Sequence, residues 1–251
     1  MKRRPHIAWF LAVTLASGCV SDDVLDPDVR PDPPPAAAFD ADFSFFEDRT
    51  PASGGGTTAW TQALQAVGAA STAMAVLDVP EALLGAAASA QATRVGDAWQ
   101  WPFTTTLAGV AYAGELRSHV VIGNQHEWNL WVSSLDHSPP LNDYLWALGF
   151  TSAAGLDGIW SLADAAAGTD SIAARLSWVR NSENGVNFAF AVSDTAGWTY
   201  ERSAASTVLT FVVHSAPEAR VTWSTQSGMG TSWTPATSTS CWNADLHDVA
   251  C

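Results

Sequence analysis

From Asp97 to the C-terminus the hydrophobic residues of this chain recur with a period of two, and bulky rings occupy many of the recurring positions. Trp99, Trp101 and Phe103 alternate with polar or small residues, as do Trp128, Leu130 and Val132; Tyr144, Trp146, Leu148 and Phe150; Ile172, Ala174, Leu176 and Trp178; Val186, Phe188, Phe190 and Val192; and Val221, Trp223 and Thr225. Successive side chains of a strand point to opposite faces, so each segment carries one apolar and one polar face. Turn-forming residues separate the segments: Gly123-Asn124, Asp136 to Pro140, Gly155 to Gly158, Gly168 to Asp170, Asn184-Gly185, Asp194 to Gly197 and Ser215 to Pro217. None of these connections is long enough for a crossover helix, so the strands pair antiparallel. The pattern predicts a mainly β fold with N-terminal helices: an antiparallel meander of about ten strands, curled into a half-barrel or barrel and packed on one or two helices. The 13 Trp against 3 Tyr thereby find a place, mostly on the apolar faces of strands.

Ahead of the meander, residues 57–96 read as helical. Trp60, Leu64, Val67, Ser71 and Met74 recur at spacings of three and four in an Ala-rich stretch, and Asp78-Val-Pro-Glu81 reads as the N-terminal cap of a second helix running to about Ala92. Earlier still, residues 19–56 read as an acidic tether. The run Asp26-Pro-Asp-Val-Arg-Pro-Asp-Pro-Pro-Pro35 suits neither helix nor sheet, because proline lacks a donor and fixes its own φ, and Ser53-Gly-Gly-Gly56 closes the segment. Within it Phe39, Phe43, Phe45 and Phe46 are too apolar to remain in water, and docking on the folded domain is expected. The folded domain is thus residues 57–251.

Residues 1–18 have the layout of a secretory signal: Lys2, Arg3 and Arg4, an apolar stretch from Ile7 to Leu15 too short to span a bilayer, then Ala16, Ser17 and Gly18. Leu15-Ala-Ser-Gly-Cys19 resembles the lipobox of bacterial lipoproteins, which implies cleavage before Cys19 and acylation of its thiol. Three cysteines are an awkward count for an exported chain unless one is spoken for. With Cys19 acylated, Cys241 and Cys251 are left to pair and tie down the C-terminus. Val20 after Cys19, rather than Asp, points to the outer membrane by analogy with lipoprotein sorting.

Charge narrows the partners. Lys and Arg number 11 against 25 Asp and Glu, a net charge of −14, which excludes a nucleic-acid partner. Removing the signal takes Lys2, Arg3 and Arg4 with it, leaving −17 and no lysine. Such a surface is repelled by anionic lipid, so attachment to the membrane rests on the acyl chains at Cys19.

Catalytic motifs are absent. His119, His126, His137, His214 and His247 form no His-x-His pair, His126-Glu127 begins the zincin motif without completing it, and neither Gly-x-Ser-x-Gly nor Ser-x-x-Lys occurs. His119 shares a strand face with Glu115 and Arg117 and is expected to face solvent. No enzyme activity, cofactor or metal is expected; only a carboxylate pair converging from separate strands escapes a reading of this kind.

Arg220-Val-Thr-Trp223, a Gly-containing turn, and Cys241-Trp-Asn-Ala-Asp-Leu-His-Asp-Val-Ala-Cys251 resemble a group of uncharacterised bacterial lipoprotein domains that end in Cys-Trp, a short acidic stretch and a terminal Cys. That resemblance implies the same layout of lipobox, acidic linker and Trp-rich meander, with Cys241 paired to Cys251, and brings no activity with it. Two roles are expected for an envelope domain of this kind. In one, a concave face lined by Trp128, Trp146, Trp178, Phe188 and Phe190 holds an apolar or lipid-like ligand; in the other, the domain meets an envelope protein through an exposed patch or sheet edge. The plainer account of those rings is that they fill the core.

Overall fold

The computed structural model describes residues 26–34, 41–121, 124–169, 171–180, 185–192, 196–213 and 216–251. The signal segment and Cys19 lie outside the described residues, as do Phe39 and His214.

The helical elements are α1 (Ser44–Glu47), α2 (Thr58–Met74) and α3 (Asp78–Ala88), the last two joined by a 3-10 turn over Ala75–Leu77. The meander begins with β1 (Thr93–Val95), β2 (Ala98–Leu107), β3 (Val110–Val121), β4 (Gln125–Ser134) and β5 (Leu141–Ser152). It continues through β6 (Asp157–Ala163), β7 (Ile172–Arg180), β8 (Val186–Ala191), β9 (Ala196–Arg202) and β10 (Thr207–Val213). It ends with β11 (Ala216–Trp223), β12 (Gly230–Thr234), β13 (Thr237–Trp242) and β14 (Asp248–Val249). All 14 strands form one sheet in chain order, every neighbour antiparallel. The count exceeds the ten or so expected because β1 and β14 have three and two residues, too few to show an alternation, and β13 is built largely of Ser and Thr.

α3 packs on β2 and β3, and α2 packs on β11 to β14. The inward side chains of the strands between are buried, so the sheet wraps about the helical segment as a half-barrel; β1 and β14 do not pair, and the barrel stays open. Thr58–Ala88 is long and apolar enough to cross a membrane, yet Ala59, Trp60, Leu77, Leu83 and Leu84 on its inner side belong to the core of the domain. The buried stripe of α2 is Ala59, Trp60, Ala63, Val67 and Ala70; Leu64 is 44% exposed and Ser71 faces solvent. Nor does Asp78 cap a separate helix. It is the first residue of α3, continues the helical turn before it, and makes no capping hydrogen bond; α3 ends at Ala88 rather than near Ala92.

Rings are accommodated on the inner face by glycine. Gly149 pairs across the sheet with Trp128 and Trp160, Gly158 with Trp178, Gly230 with Trp242, and Gly114 with Phe103. At Gly149, Gly158, Gly230 and Gly114 a Cβ would overlap the facing ring of Trp160, Trp178, Trp242 and Phe103 respectively. Each ring therefore reaches over the backbone of a neighbouring strand at a point where only glycine leaves room for it.

Register shifts occur in several strand pairs, and two of them break alternations expected from the sequence. Between Leu130 and Trp131 the β4–β5 register shifts, so Trp146 and Ala147 are both buried, and Gly149 and Thr151 then point inward while Leu148 and Phe150 turn outward. An extra residue inverts the parity of everything after it, which is why the expected face Tyr144, Trp146, Leu148 and Phe150 is not a single face. A second shift between Leu162 and Ala163 leaves Ile172 exposed although Ala174, Leu176 and Trp178 are buried.

Part of the segment 19–56 is docked on the domain. Phe43, Phe45 and Phe46 are 7%, 7% and 4% exposed and pack on Trp60, Trp198, Tyr200 and Trp223. Pro31 and Pro34 are buried as well. Because strands alternate in direction, the turns fall on two rims. The described part of residues 26–56 straps the rim that carries the β1–β2, β9–β10 and β13–β14 turns. Its contacts are Asp28 with Arg94, the Pro27 carbonyl with the Trp99 indole N–H, Asp42 with Arg202, and Ala52 with Asp245 and His247.

Candidate functional site

The five rings expected to contact a ligand are on the inner face, and all are enclosed. Trp128 and Trp178 are 1% exposed, Phe188 and Phe190 2%, and Trp146 7%. Trp128 packs against Trp101 at 5.6 Å between centroids, and its indole N–H donates to the Thr151 hydroxyl at 2.9 Å. Phe188 and Phe190 sit 5.3 and 5.5 Å from Trp198. Trp178 lies over Gly158, and Trp146 stacks beside Tyr112 and His137 near the opposite rim. They are parts of one continuous core cluster that also takes in Trp60, Leu83 and Leu84 from the helices.

Of the clefts elsewhere, one lies at the strap and one at the C-terminal disulfide, and neither is lined by those five rings. One, of about 190 Å³, lies where the strap crosses β9 and is lined by Asp42, Ser44, Tyr200, Arg202, Ser206 and Thr207 among others. Asp42 accepts from the Ser44 hydroxyl at 2.6 Å and its backbone N–H at 3.1 Å, with Arg202 3.3 Å away. Those bonds, the Ser44 hydroxyl foremost, hold the Asp42 carboxyl below its ordinary range, while burial pushes the Tyr200 phenol up. The Tyr200 hydroxyl donates to the Asp42 carbonyl at 3.2 Å. The Asp42–Arg202 pair and the bond from the Tyr200 hydroxyl to the Asp42 carbonyl thus fasten the strap to the sheet.

The second cleft, about 310 Å³, is lined by Thr58, Thr239, Cys241, Asp248 and Cys251 among others. Here the structure joins Cys241 to Cys251 in a disulfide, with Cα atoms 5.3 Å apart. The loop it closes carries Asp248, whose carboxylate accepts from the backbone N–H groups of Thr58 at 3.0 Å and Ala59 at 2.9 Å. Asp248 therefore caps α2 from 190 residues away. The N–H of Ala59 is the main cause of its lowered pKa. His247 adds a bond to the Ala52 carbonyl, and the Asp248 N–H donates to Gly56.

The described histidines are held in separate surroundings. His119 lies 3.8 Å from Glu127 on the outer face, beside the Glu115–Arg117 pair, as its strand position predicts. His137 bonds the Pro139 carbonyl in its turn. His126 points inward, 5% exposed, and burial lowers its pKa. Among the described residues no three His, Cys, Asp or Glu side chains gather into a metal-binding group.

What the alternation did not mark is an apolar band on the outer face. Phe150 pairs with Ile159 across β5 and β6, and Val179 stands diagonal to Ile159 on β7. Ile159 is 45% and Val179 37% exposed. Trp131 and Leu145 continue the band across β4 and β5, with the Arg117 guanidinium 5.7 Å from the Trp131 ring. The signal for this band is the bulge, since without it Leu148 and Phe150 would face the core.

Comparison of the chain with protein-family models and with curated proteins gave no match.

Proposed function

We propose that this chain is a lipid-anchored domain of the bacterial cell envelope, held at the outer membrane through acyl chains on Cys19, that works by meeting an envelope partner at its surface and not by catalysis. The observation that carries the choice between partner and apolar ligand is the enclosure of Trp128, Trp146, Trp178, Phe188 and Phe190 in the core. A carrier needs room for an acyl chain on the concave face, and there the rings themselves occupy the space. The outer band of Phe150, Ile159 and Val179 supplies apolar surface of the kind partner sites use. The lipobox Leu15-Ala-Ser-Gly-Cys19, the pairing of Cys241 with Cys251 and the Trp-rich meander support membership of the uncharacterised lipoprotein group that the C-terminal motif resembles.

The anchor is tested by radiolabelled palmitate. Incorporation into the native chain and its loss in Cys19→Ser is the expected result; persistent labelling would move the anchor elsewhere. The partner is tested with a photo-crosslinking residue at Ile159 in intact cells. A single defined envelope protein captured there, and not from a control position such as Leu135, is expected; capture of nothing, or of the same proteins from both positions, contradicts the surface role.

A further inference from the structure

The Cys241–Cys251 disulfide lines the cleft of about 310 Å³ beside the start of α2. Cys251 is exposed, whereas Cys241 is half-buried in β13, between β12 and β14. β14 consists of Asp248 and Val249 alone, held to β13 by the pairs Trp242 with Asp248 and Cys241 with Val249. So short a strand frays unless it is tied down, and the disulfide ties it. From β14, Asp248 reaches across the junction of strap and α2. Its N–H donates to the Gly56 carbonyl at 2.7 Å, and its carboxylate accepts from the N–H groups of Thr58 and Ala59. A Cβ at Gly56 would lie 2.9 Å from that carboxylate, so the strap backbone runs directly against it. The loop before β14 is secured differently. The Asn243 side chain accepts from the N–H groups of Asp245 and His247 at 3.0 and 3.1 Å, the Leu246 N–H donates to the Asn243 carbonyl, and Leu246 is 3% exposed. Residues 243–247 thus hold their shape without the disulfide, whereas residues 248–251 depend on it.

We infer that Cys241–Cys251 is a site of thiol–disulfide exchange with a dithiol, and that its reduction frees residues 248–251 and uncaps α2 where the strap enters the domain. A thiolate of the reductant attacks Sγ of Cys251, the more exposed residue of the pair. The S–S bond breaks, a mixed disulfide forms at Cys251, and Cys241 leaves as a thiolate that takes up a proton. The second thiol of the reductant then displaces Cys251. The chain gains two thiols, the dithiol becomes a disulfide, and both electrons and both protons come from the dithiol. With residues 248–251 free, the N–H groups of Thr58 and Ala59 lose their acceptor and Gly56 loses its donor. The strap keeps the bonds that join Ala52 to Asp245 and His247, so the change is confined to the junction. The redox state of the surroundings thereby sets how firmly the strap and α2 are seated together.

The test uses the Cys19→Ser chain, in which Cys241 and Cys251 are the only cysteines, with dithiothreitol as the dithiol. Both thiols should become reactive toward iodoacetamide while circular dichroism still shows the folded sheet. Amide hydrogen exchange at Thr58, Ala59 and Asp248 should quicken about five-fold, the worth of a helix cap, with the Leu246 and His247 amides unchanged. Reoxidation with glutathione disulfide should restore protection. In Asp248→Ala exchange at Thr58 and Ala59 is already fast, and reduction should add nothing there. Alkylation that occurs only once the chain has unfolded overturns the exchange site. Unchanged exchange at Thr58 and Ala59 in the reduced chain overturns the coupling to α2, as does equal acceleration at Leu246, His247 and the central strands, which would make the disulfide a staple of the whole fold. With glutathione as a monothiol the adduct should map to Cys251; an adduct at Cys241 contradicts the order of attack.

Discussion

Replacing Gly149 with alanine asks whether the inner face of the sheet is filled to capacity. Gly149 stands opposite Trp160, and an added Cβ would overlap the Cδ2, Cε2 and Cε3 atoms of that indole. Trp160 is 0% exposed, and the ring has no solvent to swing into. Overpacking a filled core costs about 1–3 kcal/mol, and the lower backbone entropy of alanine offsets about 0.5–1 kcal/mol of it. The two terms leave a net loss centred on about 1 kcal/mol and reaching about 2.5 kcal/mol, which at roughly 3 °C per kcal/mol for a chain of this size lowers Tm by about 3 °C and at most about 8 °C. Gly68→Ala is the matched control, since the same Cβ on the exposed side of α2 meets nothing within 4 Å, and it should stabilise by about 0.5–1 kcal/mol. Thermal and urea unfolding of the Cys19→Ser chain, followed by circular dichroism and Trp fluorescence, measures both. In a double-mutant cycle with Trp160→Leu the cost of the alanine should largely vanish, because the overlapping ring is gone. If Gly149→Ala is as neutral or stabilising as Gly68→Ala while Trp160 is present, the face has room to spare and the argument for a filled core fails.

The C-terminal clamp yields two further expectations. Opening the ten-residue loop with Cys241→Ser and Cys251→Ser should cost about 2.7 kcal/mol by the chain-entropy relation, read as a lower denaturation midpoint, with reductant reproducing it in the native chain. Asp248→Ala should cost about 1 kcal/mol as a lost helix cap, with faster amide exchange at Thr58 and Ala59; because the Asp248 pKa is lowered in the fold, this contribution is present above the unfolded carboxyl value near 3.8 and disappears as pH falls through the folded one. His126 acts in the same direction at higher pH, for a different reason. Burial lowers its pKa below 6.5, so the unfolded chain takes up its proton first, and stability should fall as pH drops from about 6.5 toward the folded value. His126→Leu should flatten that slope between pH 7.5 and 5.

Much of the fold is legible where alternation is regular and local. Trp128-x-Leu130-x-Val132 and Phe188-x-Phe190 announce an inward face because nothing between them disturbs the two-residue period. Reading stops where the parity is reset: the bulge opposite Leu130 and Trp131 turns Phe150 outward, and no residue type in β5 signals it. Glycine is a second blind spot. Gly149 and Gly158 look like strand-weakening residues in sequence, and only the cross-strand register shows them as the floor on which Trp160 and Trp178 rest. The strap was half visible, since three Phe in Phe43 to Phe46 demand burial, whereas Pro31 and Pro34 sit in a run whose composition reads as solvated chain. The cap of α2 was beyond reach, because Asp248 and Thr58 are joined by topology and not by any local pattern.

The central claim is that Trp128, Trp146, Trp178, Phe188 and Phe190 are a filled core and that the protein acts through its outer surface. Native mass spectrometry of the Cys19→Ser chain, purified from the periplasm without detergent, addresses it directly. A spectrum at the mass of the disulfide-bonded polypeptide alone is the predicted result. A stoichiometric adduct with the mass of a phospholipid or fatty acid, retained through purification and released on unfolding, would contradict it and restore the inner face as a ligand site.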